Sequence, residues 1–236
     1  MDHPFRAVLF DLDGTLLDAN MDIFLPRYFQ ALAAWVAHIM PPERFVPHLM
    51  QASRAMVEND GSDTNEAVFA RRFYPLAGHT RAEMDPIFQN FYANEFPKLR
   101  HHTRRKPLAR AVVQAAFDRS CDVVVATNPL FPAVAVQQRL EWAGVADFPY
   151  RLVTTYENCR ASKPNLLYYQ HICETLDRAP HNCLVVGDED MDMVAAHLGC
   201  PTFLVPGPRT DLEPSTPEPT YRGSLAELET LLKNTP

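Results

Sequence analysis

The sequence predicts an α/β fold: a doubly wound parallel sheet whose first strand is followed by a long helical insertion. Three observations point there. An apolar run, Ala7-Val8-Leu9-Phe10, reads as a short buried strand that ends where two acids begin. No comparable strand follows until Cys121, and the stretch between has helical periodicity and many aromatic residues. From Pro107 onward helical and strand patterns alternate, which implies βαβ units and a parallel sheet covered on both faces.

Within the insertion, Asp22 to Met40 carries Ile23, Phe24, Leu32, Trp35, Val36 and Ile39 near a helical period, and Pro41-Pro42 reads as its stop. Asp63 and Glu66 have capping-box spacing ahead of Ala67-Val68-Phe69. A further helix is predicted over Met84 to Phe96, with Phe88, Phe91 and Tyr92 on one face and a start at Thr80 or at Asp85-Pro86. The aromatic stripes read as a helical core. Downstream the predicted order is helix 108–119, strand 122–127, helix 133–143 closed by Gly144, and strand 151–154. Then come helix 165–176, strand 183–186, helix 191–198 closed by Gly199, and strand 202–205. Residues 206–221 are rich in proline and polar residues and read as an irregular connection. Ser224 and Glu227 mark the start of a terminal helix.

Composition narrows the class. The chain has 236 residues, 47% of them hydrophobic, enough for a sizeable core with a smaller insertion. A formal net charge of −7 and a pI near 5.7 argue against nucleic acid or anionic membranes as partners. The five cysteines (121, 159, 173, 183 and 200) form no CxxC pair, so free thiols in a reducing compartment are expected and a zinc site is not. Asp2, His3 and Arg6 precede a short strand rather than a secretory signal, and no apolar stretch approaches the ~20 residues of a membrane span. A cytoplasmic protein is expected, of open oligomeric state.

Asp11-Leu12-Asp13-Gly14-Thr15 carries the chemistry. Carboxylates two positions apart share one face of an extended chain and can converge on one site. Buried together they need a cation, a proton or hydrogen bonds, which suggests metal-assisted chemistry. Alone, the segment also reads as an Asp-Gly turn beside a strand. Three later segments change that balance: Thr127-Asn128 after Val123-Val124-Val125-Ala126, Lys163-Pro164 opening a helix, and Gly187-Asp188-Glu189-Asp190-Met191-Asp192 after a strand. Open parallel sheets bind ligands at those carboxyl ends, where strand order reverses.

The four segments, in this order, resemble the motifs of the haloacid dehalogenase superfamily in its phosphatase form. The family's dehalogenases lack an acid at the position of Asp13, whereas its phosphatases and phosphomutases carry one. The resemblance implies an α/β core at residues 1–18 and 105–236 and a helical cap at about 19–104. It implies a phosphatase acting on a small phosphorylated metabolite, with a phosphomutase of the same superfamily or a non-catalytic protein on the same scaffold as alternatives. Asp11 becomes the nucleophile, Asp13 the general acid and base, and Lys163 the positive charge. Phosphate donors are the Thr127 hydroxyl and the backbone N–H groups near Leu12, Asp13 and Asn128. Mg²⁺ would be held by Asp11, the carbonyl of Asp13, Asp188 and, directly or at one remove, Asp192. Glu189 and Asp190 then serve the following helix N-terminus. The sequence departs from the family in reading Asn165-Leu166-Leu167 after Lys163-Pro164, without a second proline. His101-His102 with Arg104-Arg105-Lys106 reads as a solvated hinge. Arg71 and Arg72 are candidate cap contacts to an anionic substrate, weighed against solvated helix charges.

Overall fold

A computed structural model describes residues 5–208 and 210–234. Asp2 and His3, which bear on the secretory reading, lie outside the described residues. After β1 (Ala7–Phe10) and a tight turn, β2 (Leu17–Ala19) leads into four helices, α1 (Met21–Val36), α2 (Pro42–Val57), α3 (Asn65–Ala77) and α4 (Arg81–Asn94). A 3₁₀ segment (Phe96–His102) and β3 (Thr103–Arg105) bring the chain back. There follow α5 (Ala109–Asp118), β4 (Asp122–Val125), α6 (Ala133–Ala143), β5 (Leu152–Val153), α7 (Leu166–Leu176) and β6 (Cys183–Gly187). The short helix α8 (Asp190–Met193), a 3₁₀ turn (Val194–Leu198), β7 (Thr202–Leu204), β8 (Tyr221–Arg222) and α9 (Leu225–Asn234) complete the order.

Six strands form one parallel sheet in the order β5-β4-β1-β6-β7-β8. Its central strands are apolar along their length because both faces are covered. Alternate residues feed different layers. Val8, Phe10, Val123, Val125, Leu184 and Val186 pack with α5, α6, α9 and the helical insertion. Ala7, Leu9, Val124, Cys183 and Val185 pack on the other face against Tyr168, Tyr169 and Ile172 of α7. This is the doubly wound α/β arrangement, and the helices between β2 and β3 are the insertion.

Several boundaries differ from the sequence reading, each for a local reason. Pro41-Pro42 does not only stop a helix: Pro42 opens α2, where a first-turn proline loses no hydrogen bond. Helix α1 ends at Val36 rather than Met40. The N-cap of α3 is Thr64, whose side chain accepts from the Ala67 N–H at 3.2 Å; Asp63 instead accepts from the Thr64 N–H and pairs with Arg71. The start of α4 is Thr80, with a full capping box to Glu83. Strands β2 and β3 pair antiparallel where the chain leaves and re-enters the core. With β8 they escaped the sequence reading because two or three residues carry no periodicity.

Candidate active site

Three adjacent strands deliver the predicted residues. Strand β1 lies between β4 and β6, and the chain builds the sheet outward from it in both directions, so strand order reverses there. Asp11 follows β1, and its N–H is held by the Val186 carbonyl at 2.8 Å. Thr127 follows β4 and Asp188 follows β6. Directly after Asp11 the chain folds into a turn: the Leu12 carbonyl accepts from the N–H groups of Leu16 and Leu17, and the Gly14 N–H donates to Leu17 O at 2.7 Å. Gly14 has φ +96°, and a Cβ there would lie 2.2 Å from Asp188 Oδ2. Neither the backbone nor the space admits a side chain. Gly187 is equally tight, since a Cβ would stand 2.1 Å from Asp192 Cγ.

Lys163 organises the acids. Its ammonium is buried and donates to Asp11 Oδ1 at 2.9 Å and to Asp192 Oδ1 at 2.5 Å. Burial alone would lower its pKa; Asp11 and Asp192 outweigh that and hold it well above the ordinary lysine value. Asp192 Oδ2 accepts from the backbone N–H groups of Asp188 and Glu189, so both of its oxygens are engaged. Asp188 Oδ1 accepts from the Thr15 hydroxyl at 2.9 Å. Burial and then Asp11 and Asp192 push the Asp188 carboxyl up to about 8, and burial pushes Asp192 up to about 6.

Asp11, Asp188 and Asp192 each offer an oxygen within 4.8 Å of the others, so this donor set can hold a metal ion. Oxygen-only ligands suit a hard divalent cation. The charge count points the same way: four carboxylates (Asp11, Asp13, Asp188, Asp192) meet two cations, Lys163 and Arg139.

Arg139 was not anticipated. It lies on α6, is 1% exposed, and forms an ion pair with Asp13 Oδ2. Its guanidinium also stacks on the Phe131 ring, 4.4 Å from the centroid. The sequence held a signal: Arg139 falls one turn after Ala135 and Val136 on the buried stripe of α6, where a cation must have a partner. Burial raises the Asp13 carboxyl above its ordinary value, while Arg139 opposes the rise. Asp13 Oδ1, Arg139 Nη2 and Asn128 Oδ1 are buried without hydrogen-bond partners. All three residues line a cavity of about 180 Å³ together with Asp11, Thr127, Asp188 and Asp192.

A further shell fixes these groups. The Thr127 carbonyl accepts from Thr154 Oγ1 at 2.7 Å and from the Tyr168 hydroxyl at 3.0 Å. Tyr169 donates to the Met191 carbonyl at 2.9 Å beside Asp192. Asp190 has a role unlike its neighbours. Its Oδ1 accepts from the Glu213 N–H and the Thr216 hydroxyl, which ties down the proline-rich connection. Glu189 caps α8. Arg71 and Arg72 are exposed and do not line this cavity, and Arg71 pairs with Asp63, which favours the reading as solvated helix charges. His101 and His102 end the 3₁₀ segment just before β3, the first exposed and the second half-buried.

No described helix is long and apolar enough to cross a membrane. The chain is 26% identical to a phosphoglycolate phosphatase of Chromobacterium violaceum, with 97% of each protein covered. It is 29% identical to one of Vibrio vulnificus strain YJ016, with 94% of each covered. Among solved structures, the L-2-haloacid dehalogenase of Xanthobacter autotrophicus superposes with a TM-score of 0.58 at 16% identity, over 98% of this chain and all of the other. A predicted phosphoglycolate phosphatase of Haemophilus somnus gives the same score at 18% identity, over 97% and 98%. The family model for haloacid dehalogenase-like hydrolases matches residues 5–198. With that match, this fold and these strand-end acids, the chain belongs to the haloacid dehalogenase-like hydrolase family.

Proposed function

We propose that the protein is a Mg²⁺-dependent phosphatase that cleaves a phosphomonoester through a phosphoryl-Asp11 intermediate. The observation that carries this reading is the Lys163 ammonium bridging Asp11 and Asp192 inside a buried cluster of three metal-competent carboxylates. In the first half-reaction an Asp11 oxygen attacks phosphorus, the ester P–O bond breaks, and Asp13 gives its proton to the departing alcohol oxygen. In the second, Asp13 takes a proton from water, whose oxygen attacks phosphorus; the acyl phosphate bond breaks and inorganic phosphate leaves. Asp13 must start protonated, and its raised pKa supports that role, with Arg139 keeping the ionised form accessible for the second half.

Lys163 holds Asp11 in place and supplies positive charge to the phosphoryl oxygens throughout. Thr127 and Asn128 border the same space. Asn128 Nδ2 reaches the Met191 sulfur at 3.8 Å, a weak contact that a phosphoryl oxygen would outcompete. Bound Mg²⁺, held by Asp11, Asp188 and the Asp13 carbonyl, would draw two anions together. Asp192, with both oxygens engaged, acts by anchoring Lys163 and the Asp188 backbone. Residues 19–104 form the cap and residues 1–18 with 105–236 the core in this proposal. The relatives named phosphoglycolate phosphatases support a phosphorylated metabolite as the substrate class.

The test is release of inorganic phosphate from a panel of phosphomonoesters with Mg²⁺ and with excess chelator. Catalytic, Mg²⁺-dependent release is expected. Full activity in chelator contradicts the metal assignment. Transfer back to a bound intermediate without net release indicates a phosphomutase, and inactivity across the panel a non-catalytic protein.

A further inference from the structure

The catalytic cavity has a larger neighbour of opposite character. A space of about 330 Å³ lies between the helical insertion and the core, and it meets the catalytic cavity at Leu25, Leu130 and Phe131, which line both. Its walls include Tyr28, Leu32, Phe69, Phe88 and Tyr92 of the insertion and Tyr156 of the core. No charged side chain lines it among the described residues. Two of its three phenols are engaged: the Tyr28 and Tyr92 hydroxyls bond each other at 2.9 Å. The unpartnered buried atoms of Asp13, Arg139 and Asn128 belong instead to the smaller cavity.

Polar demand is therefore concentrated at the catalytic end, and the adjoining space offers mostly aromatic and aliphatic surface. We propose that the larger cavity receives the alcohol half of the substrate, and that this half is an uncharged aromatic or arylalkyl group. The inference rests on the phosphatase reading and adds its substrate class. Size agrees: an apolar cavity of about 150 Å³ already holds benzene, so this one takes a substituted or fused ring. A short leaving group bearing a carboxylate fits poorly. It would leave most of the cavity empty and bring a second anion to walls without a cation, at a desolvation cost that nothing there offsets. Arg139 lines the catalytic cavity beside Asp13 and is not among the walls of the larger one.

Calorimetric titration of the Mg²⁺-loaded wild type with 1-naphthylmethylphosphonate and with phosphonoacetate tests this. Both keep the phosphoryl head on a C–P bond that the enzyme cannot hydrolyse, so leaving-group reactivity does not enter. The naphthyl ligand should bind at least about tenfold tighter, from its buried apolar area. Ser53 lines the larger cavity and is half-buried, so Ser53→Arg should shift the preference toward phosphonoacetate by about tenfold. Equal or tighter binding of phosphonoacetate by the wild type overturns the inference, as does the lack of binding by either ligand. Failure of the phosphatase reading alone looks different: the naphthyl ligand still binds preferentially, but no ester yields phosphate.

Discussion

At the scale of single residues, the Asp13–Arg139 pair would set the proton chemistry of the proposed reaction. Both partners are removed from water, and each has one polar atom left without a protein partner. Replacing only one partner of such a pair costs about 3–5 kcal/mol, because the other charge stays buried alone. Arg139→Met should therefore destabilise the fold by about 3 kcal/mol in urea unfolding, and Asp13→Asn added to it should recover much of that loss. Additive losses in the double variant would show that the two groups do not act as a pair. The acids around Lys163 make a second residue-scale prediction, for the metal-free protein. Asp188 and Asp192 bind protons more tightly folded than unfolded, with folded values of about 8 and about 6. Their contribution to stability is thus fully present below about pH 4 and is lost as pH rises through those values. In chelator Tm should fall between about pH 4 and pH 8, and Mg²⁺ should flatten the fall by compensating the ionised carboxylates. An equally steep fall in Asp188→Asn would remove Asp188 from the account.

At the scale of elements, Asn65 is a buried side chain that fastens the insertion to the loops around Thr127 and Lys163. Asn65, the first residue of α3, is fully buried, and its Nδ2 donates to the Pro129 carbonyl and to Ser162 Oγ, each at 3.0 Å. Pro129 follows Thr127-Asn128, and Ser162 precedes Lys163. The backbone joins in: the N–H groups of Asn65 and Glu66 donate to Cys159 and Tyr156 at 2.8 Å. Asn65→Ala should cost about 2 kcal/mol by leaving buried acceptors unmet. It should also lower kcat/KM, since Lys163 and Thr127 lose a shared support. Unchanged kcat/KM would confine Asn65 to stability. Sequence alone did not reveal this contact, because an Asn at a helix start reads as a local cap. Long-range hydrogen bonds of this kind leave no periodic trace. The core elements were legible for the opposite reason: β1, β4 and β6 are apolar runs closed by polar residues, and α6 ends at a glycine with positive φ. Helix α2 was missed because Pro42 reads as a breaker until its place in the first turn is known.

At the scale of the whole molecule, the sheet and the insertion would divide the labour in the proposed reaction. Strand order reverses at β1, so Asp11, Thr127 and Asp188 come from distant parts of the chain yet meet at one crevice. Each of these residues was readable from its place after an apolar run. Arg139 was readable only as a buried cation on α6, since its partner lies 126 positions away in the chain. The insertion roofs the adjoining larger cavity with aromatic residues, among them Phe69 and Phe88, and reaches the crevice itself through Met21 and Leu25. Closing such a roof excludes water and lets binding energy remote from phosphorus orient the ester.

The claim on which the rest depends is that Asp11 is phosphorylated before water attacks. Its most direct test is the stereochemical course at phosphorus. A phosphorothioate ester made chiral by oxygen isotopes would be hydrolysed in water carrying a third isotope. Two successive in-line displacements, first by Asp11 and then by water, predict net retention of configuration. Net inversion would mean a single displacement by water and would contradict the covalent account.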